Sequence, residues 1–122
     1  MKKILIVEDE KDVACFLRDS LARNEFDVDI AFDGRNAIEK IEKFEPDIIL
    51  LDIILPQLDG LEVLKWTKKN KPGVFVIVTT MKKELEDFKK GYEYEADYYI
   101  TKPYYVEDVL KGINIMLSLE RE

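Results

Sequence analysis

The chain has 122 residues, 47% of them hydrophobic and 37% charged, with a formal net charge of −7, one cysteine and no histidine. Such a composition suits one globular domain with a single core and excludes a disordered chain. It argues against nucleic-acid binding, which takes a basic face, and rules out an internal disulfide, Ser-His-Asp or Cys-His catalysis and imidazole-ligated metals.

The opening "MKK" leads into only four apolar residues, so no signal peptide is expected, and no apolar run is long enough to span a membrane. With a lone Cys15, a reducing cytoplasm is the expected compartment. "KILIV" (3–7) reads as a strand buried on both faces, and Val13, Phe16, Leu17 and Leu21 then follow helical spacing. "DVDIAF" (27–32) alternates as a strand, and Gly34 precedes a helix with Ala37, Ile38, Ile41 and Phe44 inward, stopped by Pro46. "DIILLD" (47–52) is a third strand, and Leu61 and Leu64 mark a helix running to about Asn70. After the turn "KPG", "VFVIVT" (74–79) is the fourth strand, followed by a helix over 82–93 that Gly91 weakens. "DYYIT" (97–101) is a short fifth strand, and Val106, Val109, Leu110, Ile113 and Leu117 share one face of the last helix. Five strands alternating with five helices predict a doubly wound α/β fold, a parallel sheet with helices on both faces.

Ligands in such folds collect at the carboxyl ends of the strands. The first strand ends at Glu8-Asp9, the third at Asp52 and the fourth at Thr79-Thr80, while Lys102-Pro103 follows the fifth. Three converging carboxylates would force one to stay protonated unless a cation joins them, and Mg²⁺ suits a few carboxylates plus waters. A lysine opposite neutralises an incoming anion, and a threonine hydroxyl can donate to it. The set lacks a base with a pKa near neutrality, which disfavours proton abstraction and suits phosphoryl transfer to a carboxylate.

The motifs "ILIVEDE", "DIILLDIILPQLDGLEVL", "VIVTT" and "ADYYITKPY" stand in the order and spacing of a response-regulator receiver domain, which the chain resembles over residues 2–119. The resemblance implies one receiver domain over 1–122, with a flavodoxin-like (βα)5 fold and strand order 2-1-3-4-5. It implies a phosphoacceptor switch rather than an enzyme, in which Asp52 takes a phosphoryl group from the phosphohistidine of a sensor histidine kinase or phosphotransfer protein. Asp9 would bind Mg²⁺ directly and Glu8 through water, with Asp52 and the Ile54 carbonyl completing the protein ligands. Lys102 would pair first with Asp52 and then with the phosphoryl group, aimed by a cis Lys102-Pro103 bond. Thr79 would move to a phosphoryl oxygen, and Tyr99 would turn inward behind it. Neither direct nucleic-acid contact nor membrane association is expected.

Seen alone, Glu8-Asp9 reads as a helix-capping pair, and Asp52 as a strand-end turn residue. Asp59-Gly60 reads as a loop and helix start, Lys11 and Cys15 as structural, and Trp66 as partial core. Thr79 and Thr80 are adjacent, so the two registers both stay open, with strand spacing favouring Thr79. An Asp-x-Asp phosphatase is disfavoured because Ile54 occupies the second position. A pseudo-receiver that binds without being phosphorylated is the other alternative. Glu95 and Tyr98 stand where the family often carries Gly and Asp. All six tyrosines fall within residues 92–105, a segment that contributes to the face formed by the fourth expected helix, fifth strand and last helix. Either two or three of them are simply buried, or the exposed remainder, with Tyr98 and Tyr104 as its test positions, forms a partner or homodimer surface that depends on phosphorylation. Apolar Ile54 and Met81 flank the chemistry, which predicts a long-lived phosphoaspartate. "ITKPY" before a helix resembles receivers attached to transcription-factor domains, so a stand-alone receiver and a fragment both stay open.

Overall fold

The computed structural model describes residues 1–55, 59–81, 83 and 96–119. In chain order these hold β1 (Lys3–Val7), α1 (Lys11–Arg23), β2 (Asp27–Ala31), α2 (Gly34–Phe44), β3 (Ile48–Asp52), α3 (Gly60–Asn70), β4 (Phe75–Met81), β5 (Tyr98–Lys102) and α4 (Val106–Ser118). The helix expected over 82–93 lies outside the described residues, apart from Lys83. The strands form one parallel sheet in the order β2-β1-β3-β4-β5, as expected. No helix among the described residues is long and apolar enough to cross a membrane.

Successive strand side chains point to opposite faces, and the sheet therefore carries two cores. Ile4, Ile6, Leu50, Ile77 and Ile100 pack with Leu17 and Leu21 of α1 and Val109 and Ile113 of α4. Leu5, Val7, Ile49, Leu51, Val76 and Val78 pack with Ala37 and Ile41 of α2 and Val63 and Leu64 of α3. Covering both faces explains why β1 and β3 are nearly continuous apolar runs. Each such buried Leu or Ile is worth roughly 1.5–3 kcal/mol.

Local chemistry sets the element ends. After α2, Glu45 takes a left-handed φ of 53° and Pro46 follows, so the helix cannot continue. Asp59 caps α3, its Oδ1 accepting the Leu61 N–H at 2.8 Å. Gly60 N–H donates to the Ile53 carbonyl at 3.0 Å, and a Cβ on Gly60 would overlap the Ile53 backbone. That close approach requires glycine and ties the start of α3 to the loop after Asp52.

β4 runs two residues beyond the expected end, because Thr80 and Met81 pair in register with Thr101 and Lys102. β5 starts one residue later than expected, because the Asp97 carboxylate bonds the Val76 N–H at 2.8 Å. In α1, Phe16 is 59% exposed despite its helical spacing, and Ala14 and Ser20 complete the buried stripe. In α4 the expected Val109 and Ile113 are buried, Leu110 and Leu117 pack partly buried on the same core, and Gly112 and Met116 join the buried stripe, Gly112 beneath the Tyr98 ring. A Cβ on Gly112 would meet that ring at 2.9 Å.

Trp66 is partly buried against the α2/α3 core and Cys15 against the opposite one, as expected, while Lys11 lies over the Phe32 ring at 5.9 Å. Among the described tyrosines, Tyr98 and Tyr104 pack on the α1/α4 core and Tyr99 on the other, and Tyr105 is 79% exposed. Tyr92 and Tyr94 lie outside the described residues. Three of the four described tyrosines are thus partly buried, in keeping with the expectation that two or three are core residues, and the Tyr98 ring fills the space above Gly112.

Candidate functional site

The alternation that sorts the two cores also sorts the polar strand ends. Glu8 continues the face of Ile4 and Ile6, Asp52 that of Leu50, Thr79 that of Ile77 and Lys102 that of Ile100. All four therefore share the α1/α4 side of the carboxyl rim. Asp52 and Thr79 are direct register partners, which puts Thr79 rather than Thr80 beside the aspartate. Thr80 falls on the opposite face with Val78 and Tyr99.

Asp52 is held at both oxygens. Its Oδ1 accepts the Ile54 N–H at 3.1 Å, and its Oδ2 accepts from Lys102 Nζ at 3.0 Å. Lys102 Nζ also stands 3.9 Å from Glu8 Oε1, and the Lys102-Pro103 bond is cis. Glu8 Oε2 accepts the Glu10 N–H at 3.2 Å, and Glu10 is the N-cap of α1, its carbonyl accepting the Ala14 N–H at 3.0 Å with no side-chain cap bond. Glu8 is 2% exposed and Asp52 7% exposed, whereas Asp9 is open to solvent.

One carboxylate oxygen from each of Glu8, Asp9 and Asp52 lies within 4.8 Å of the others. Burial pushes the Glu8 carboxyl up to about 7, reinforced by the Asp52 and Asp9 charges and opposed by the Glu10 N–H and Lys102. Burial pulls Lys102 down, but its bond to Asp52 and the surrounding negative charge outweigh this and hold it above the usual lysine range. Tyr104 is pushed up to about 12 by burial, then by the charges of Glu8, Asp52 and Glu10. Three carboxylates facing one lysine leave excess negative charge in a part-buried notch. An all-oxygen donor set of this kind fits a hard divalent cation that keeps several waters.

Ile54 opens the loop after Asp52 with its side chain 58% exposed, and Met81 ends β4 on the Lys102 side. Tyr99 is half-buried, and its phenol oxygen accepts the Ala96 N–H at 3.0 Å, towards the start of β5 rather than the carboxyl rim. Two features escaped the sequence. Tyr104 lies close enough to the acidic notch to feel its charge, and the tyrosine following Lys-Pro was the available signal. Thr80 buries a hydroxyl that has no hydrogen-bond partner among the described residues, which nothing in a β-rich "VTTM" reveals.

Residues 4–114 match the family described as response regulator receiver domain. The chain is 41% identical over 117 residues to response regulator ArlR of Staphylococcus saprophyticus, covering 96% of this chain and 53% of that protein. It is 40% identical over 116 residues to the alkaline phosphatase synthesis transcriptional regulatory protein PhoP of Bacillus subtilis, covering 95% and 48%. The chain thus spans about half the length of these relatives. Among solved structures, the receiver domain of Francisella response regulator 1452 matches with a TM-score of 0.82 and 30% identity, covering 97% of this chain and 98% of that one. Response regulator TrrA of Thermotoga maritima, in complex with Mg²⁺-BeF, matches with a TM-score of 0.84 and 27% identity, covering 95% and 99%. With its sheet order, its acidic notch and these relatives in agreement, the chain belongs to the response regulator receiver domain family.

Proposed function

We propose that Asp52 accepts a phosphoryl group from the phosphohistidine of a sensor histidine kinase or phosphotransfer protein, in a Mg²⁺-dependent step that switches an output domain or a separate partner. The observation that carries this reading is the fixing of both Asp52 oxygens, by the Ile54 N–H and by Lys102, inside the Glu8-Asp9 notch. An Asp52 oxygen forms the new P–O bond as the P–N bond breaks, and the electron pair leaves on the imidazole nitrogen. The nucleophile carries no proton to remove, so a chain without histidine is equipped for the step.

Mg²⁺ held by Glu8, Asp9, Asp52 and the Ile54 carbonyl would neutralise charge on the phosphoryl oxygens. Lys102 keeps its ammonium at the same place before and after transfer, trading the Asp52 carboxylate for a phosphoryl oxygen. Thr79, one strand away in register with Asp52, donates its hydroxyl to the phosphoryl group, and Tyr99 turns inward. The altered β5/α4 face then meets the partner or a second copy of the chain. The protein acts as a switch, with self-catalysed transfer and hydrolysis as its only chemistry.

Intact mass after incubation with acetyl phosphate tests this directly. One added phosphoryl group that needs both Mg²⁺ and Asp52, and is lost in Asp52→Ala, is the expected result. Folded protein that gains no mass under any condition would instead make the chain a pseudo-receiver.

A further inference from the structure

Thr79 and Thr80 are each 2% exposed, yet they point to opposite faces of the sheet. Thr80 faces the α2/α3 side, and its buried hydroxyl lacks a hydrogen-bond partner among the described residues. Burying a hydroxyl unpaired is unfavourable, so such a group normally has a partner in some state of the molecule. The β4/β5 register pairs Val78 with Tyr99 and Thr80 with Thr101. Thr80 is therefore the diagonal neighbour of Tyr99, one step nearer the carboxyl rim and on the same face. Diagonal neighbours on adjacent strands are roughly 7–8 Å apart, a gap that an aromatic side chain spans. In this structure the Tyr99 phenol instead accepts the Ala96 N–H, at the other end of β5.

We propose that the Thr80 hydroxyl is the docking partner of the Tyr99 phenol in the activated state, a positioning residue for the switch adjacent to the phosphoacceptor site. This rests on the reading of Asp52 as phosphoacceptor. Turning towards Thr80 gives up the Ala96 contact and gains a bond to a hydroxyl that is unpaired among the described residues. The side chain of Thr80 thereby disfavours the resting arrangement and favours the switched one. A valine of the same shape removes both effects, whereas a serine keeps the hydroxyl.

The test is ring-¹³C tyrosine NMR on Mg²⁺-beryllofluoride-treated protein, with the Tyr99 signal assigned through Tyr99→Phe. Phosphoryl loading from acetyl phosphate is measured by intact mass on the same preparations. Thr80→Val is expected to load normally and melt higher than wild type at rest. It should also show an inward-to-outward Tyr99 ratio about fivefold lower, the size of effect one hydrogen bond gives, with Thr80→Ser restoring the ratio. A Tyr99 ratio unchanged in a Thr80→Val protein that loads normally would overturn the proposal and leave the phosphoacceptor reading standing. No loading of the wild type would overturn both.

Discussion

The two rims of this one sheet use carboxylates in opposite ways. At the amino rim, Asp47 Oδ2 accepts the Lys3 N–H at 2.8 Å, and Asp97 Oδ2 accepts the Val76 N–H at 2.8 Å and Lys68 Nζ at 2.6 Å. The bonds to Lys3 and Val76 cross from strand to strand, each satisfying a peptide N–H that the ladder leaves over, and the third ties Asp97 to α3. At the carboxyl rim, the peptide N–H groups that Asp52 and Glu8 accept lie only two residues ahead, at Ile54 and Glu10. Among the described residues their one hydrogen bond across the sheet is to the charged Lys102, and both carboxylates crowd together with Asp9. The first rim ties the fold together, while the second concentrates charge the fold does not need. A carboxylate's place at a strand end is thus uninformative by itself, and its partners decide whether it serves the fold or the chemistry.

Removing the surplus charge gives the largest expected effect. In cation-free protein the Glu8 carboxyl titrates at about 7, above its ordinary 4.5. A raised carboxyl pKa means that the folded state holds the proton more tightly than the unfolded chain. The associated stability is fully present below about pH 4.5 and is lost as pH rises towards 7, by on the order of 3 kcal/mol. Urea unfolding in EDTA should show this decline, and Glu8→Gln should flatten it. Added Mg²⁺ should restore stability on the alkaline side, since the cation favours the ionised form. A wild-type profile as flat as that of Glu8→Gln would mean the two rims are electrostatically alike.

The converse substitution sits at the amino rim. Asp97→Ala strands the Val76 N–H and releases Lys68, and unfolding should show a loss of about 2 kcal/mol. Most of that comes from the peptide group, because the Lys68–Asp97 pair is partly solvated. Asp97→Asn keeps an acceptor for Val76 and should lose only a few tenths. Neither change should alter phosphoryl loading of the folded protein, which separates the rims by function as well as by energy.

The sheet was legible because its strands are buried on both faces, which turns β1 and β3 into apolar runs that periodicity cannot miss. The site was legible because the polar residues break those runs abruptly, and an abrupt break at a carboxyl end is where an α/β fold binds. What escaped depends on facing rather than position. Phe16 keeps helical spacing yet lies outside the core, while Ala14 and Ser20 are buried with Leu17 and Leu21. Which of the clustered tyrosines are buried also depends on facing: Gly112, a poor helix former in mid-helix, is the recess that the Tyr98 ring covers. Between Thr79 and Thr80, strand spacing favoured Thr79, and the register to Asp52, a pairing across 27 residues of chain, places Thr79 beside the aspartate.

The smallest expected effect lies where the carboxyl rim opens to solvent. Ile54 and Met81 are both more than half exposed, at 58% and 52%, and flank the notch with groups that offer water no hydrogen bond. Hydrolysis of a phosphoaspartate needs water held in line with the P–O bond, and an apolar border leaves that water to orient itself. Met81→Asn supplies a donor and an acceptor at the end of β4, in register with Lys102. The phosphorylated protein, freed of donor and followed by intact mass, should therefore lose its phosphoryl group several-fold faster than wild type. Met81→Leu, which changes shape but not polarity, should keep the slow rate. If Leu and Asn accelerate the loss equally, access rather than orientation limits the hydrolysis, and the apolar border acts as a cover over the phosphoryl group.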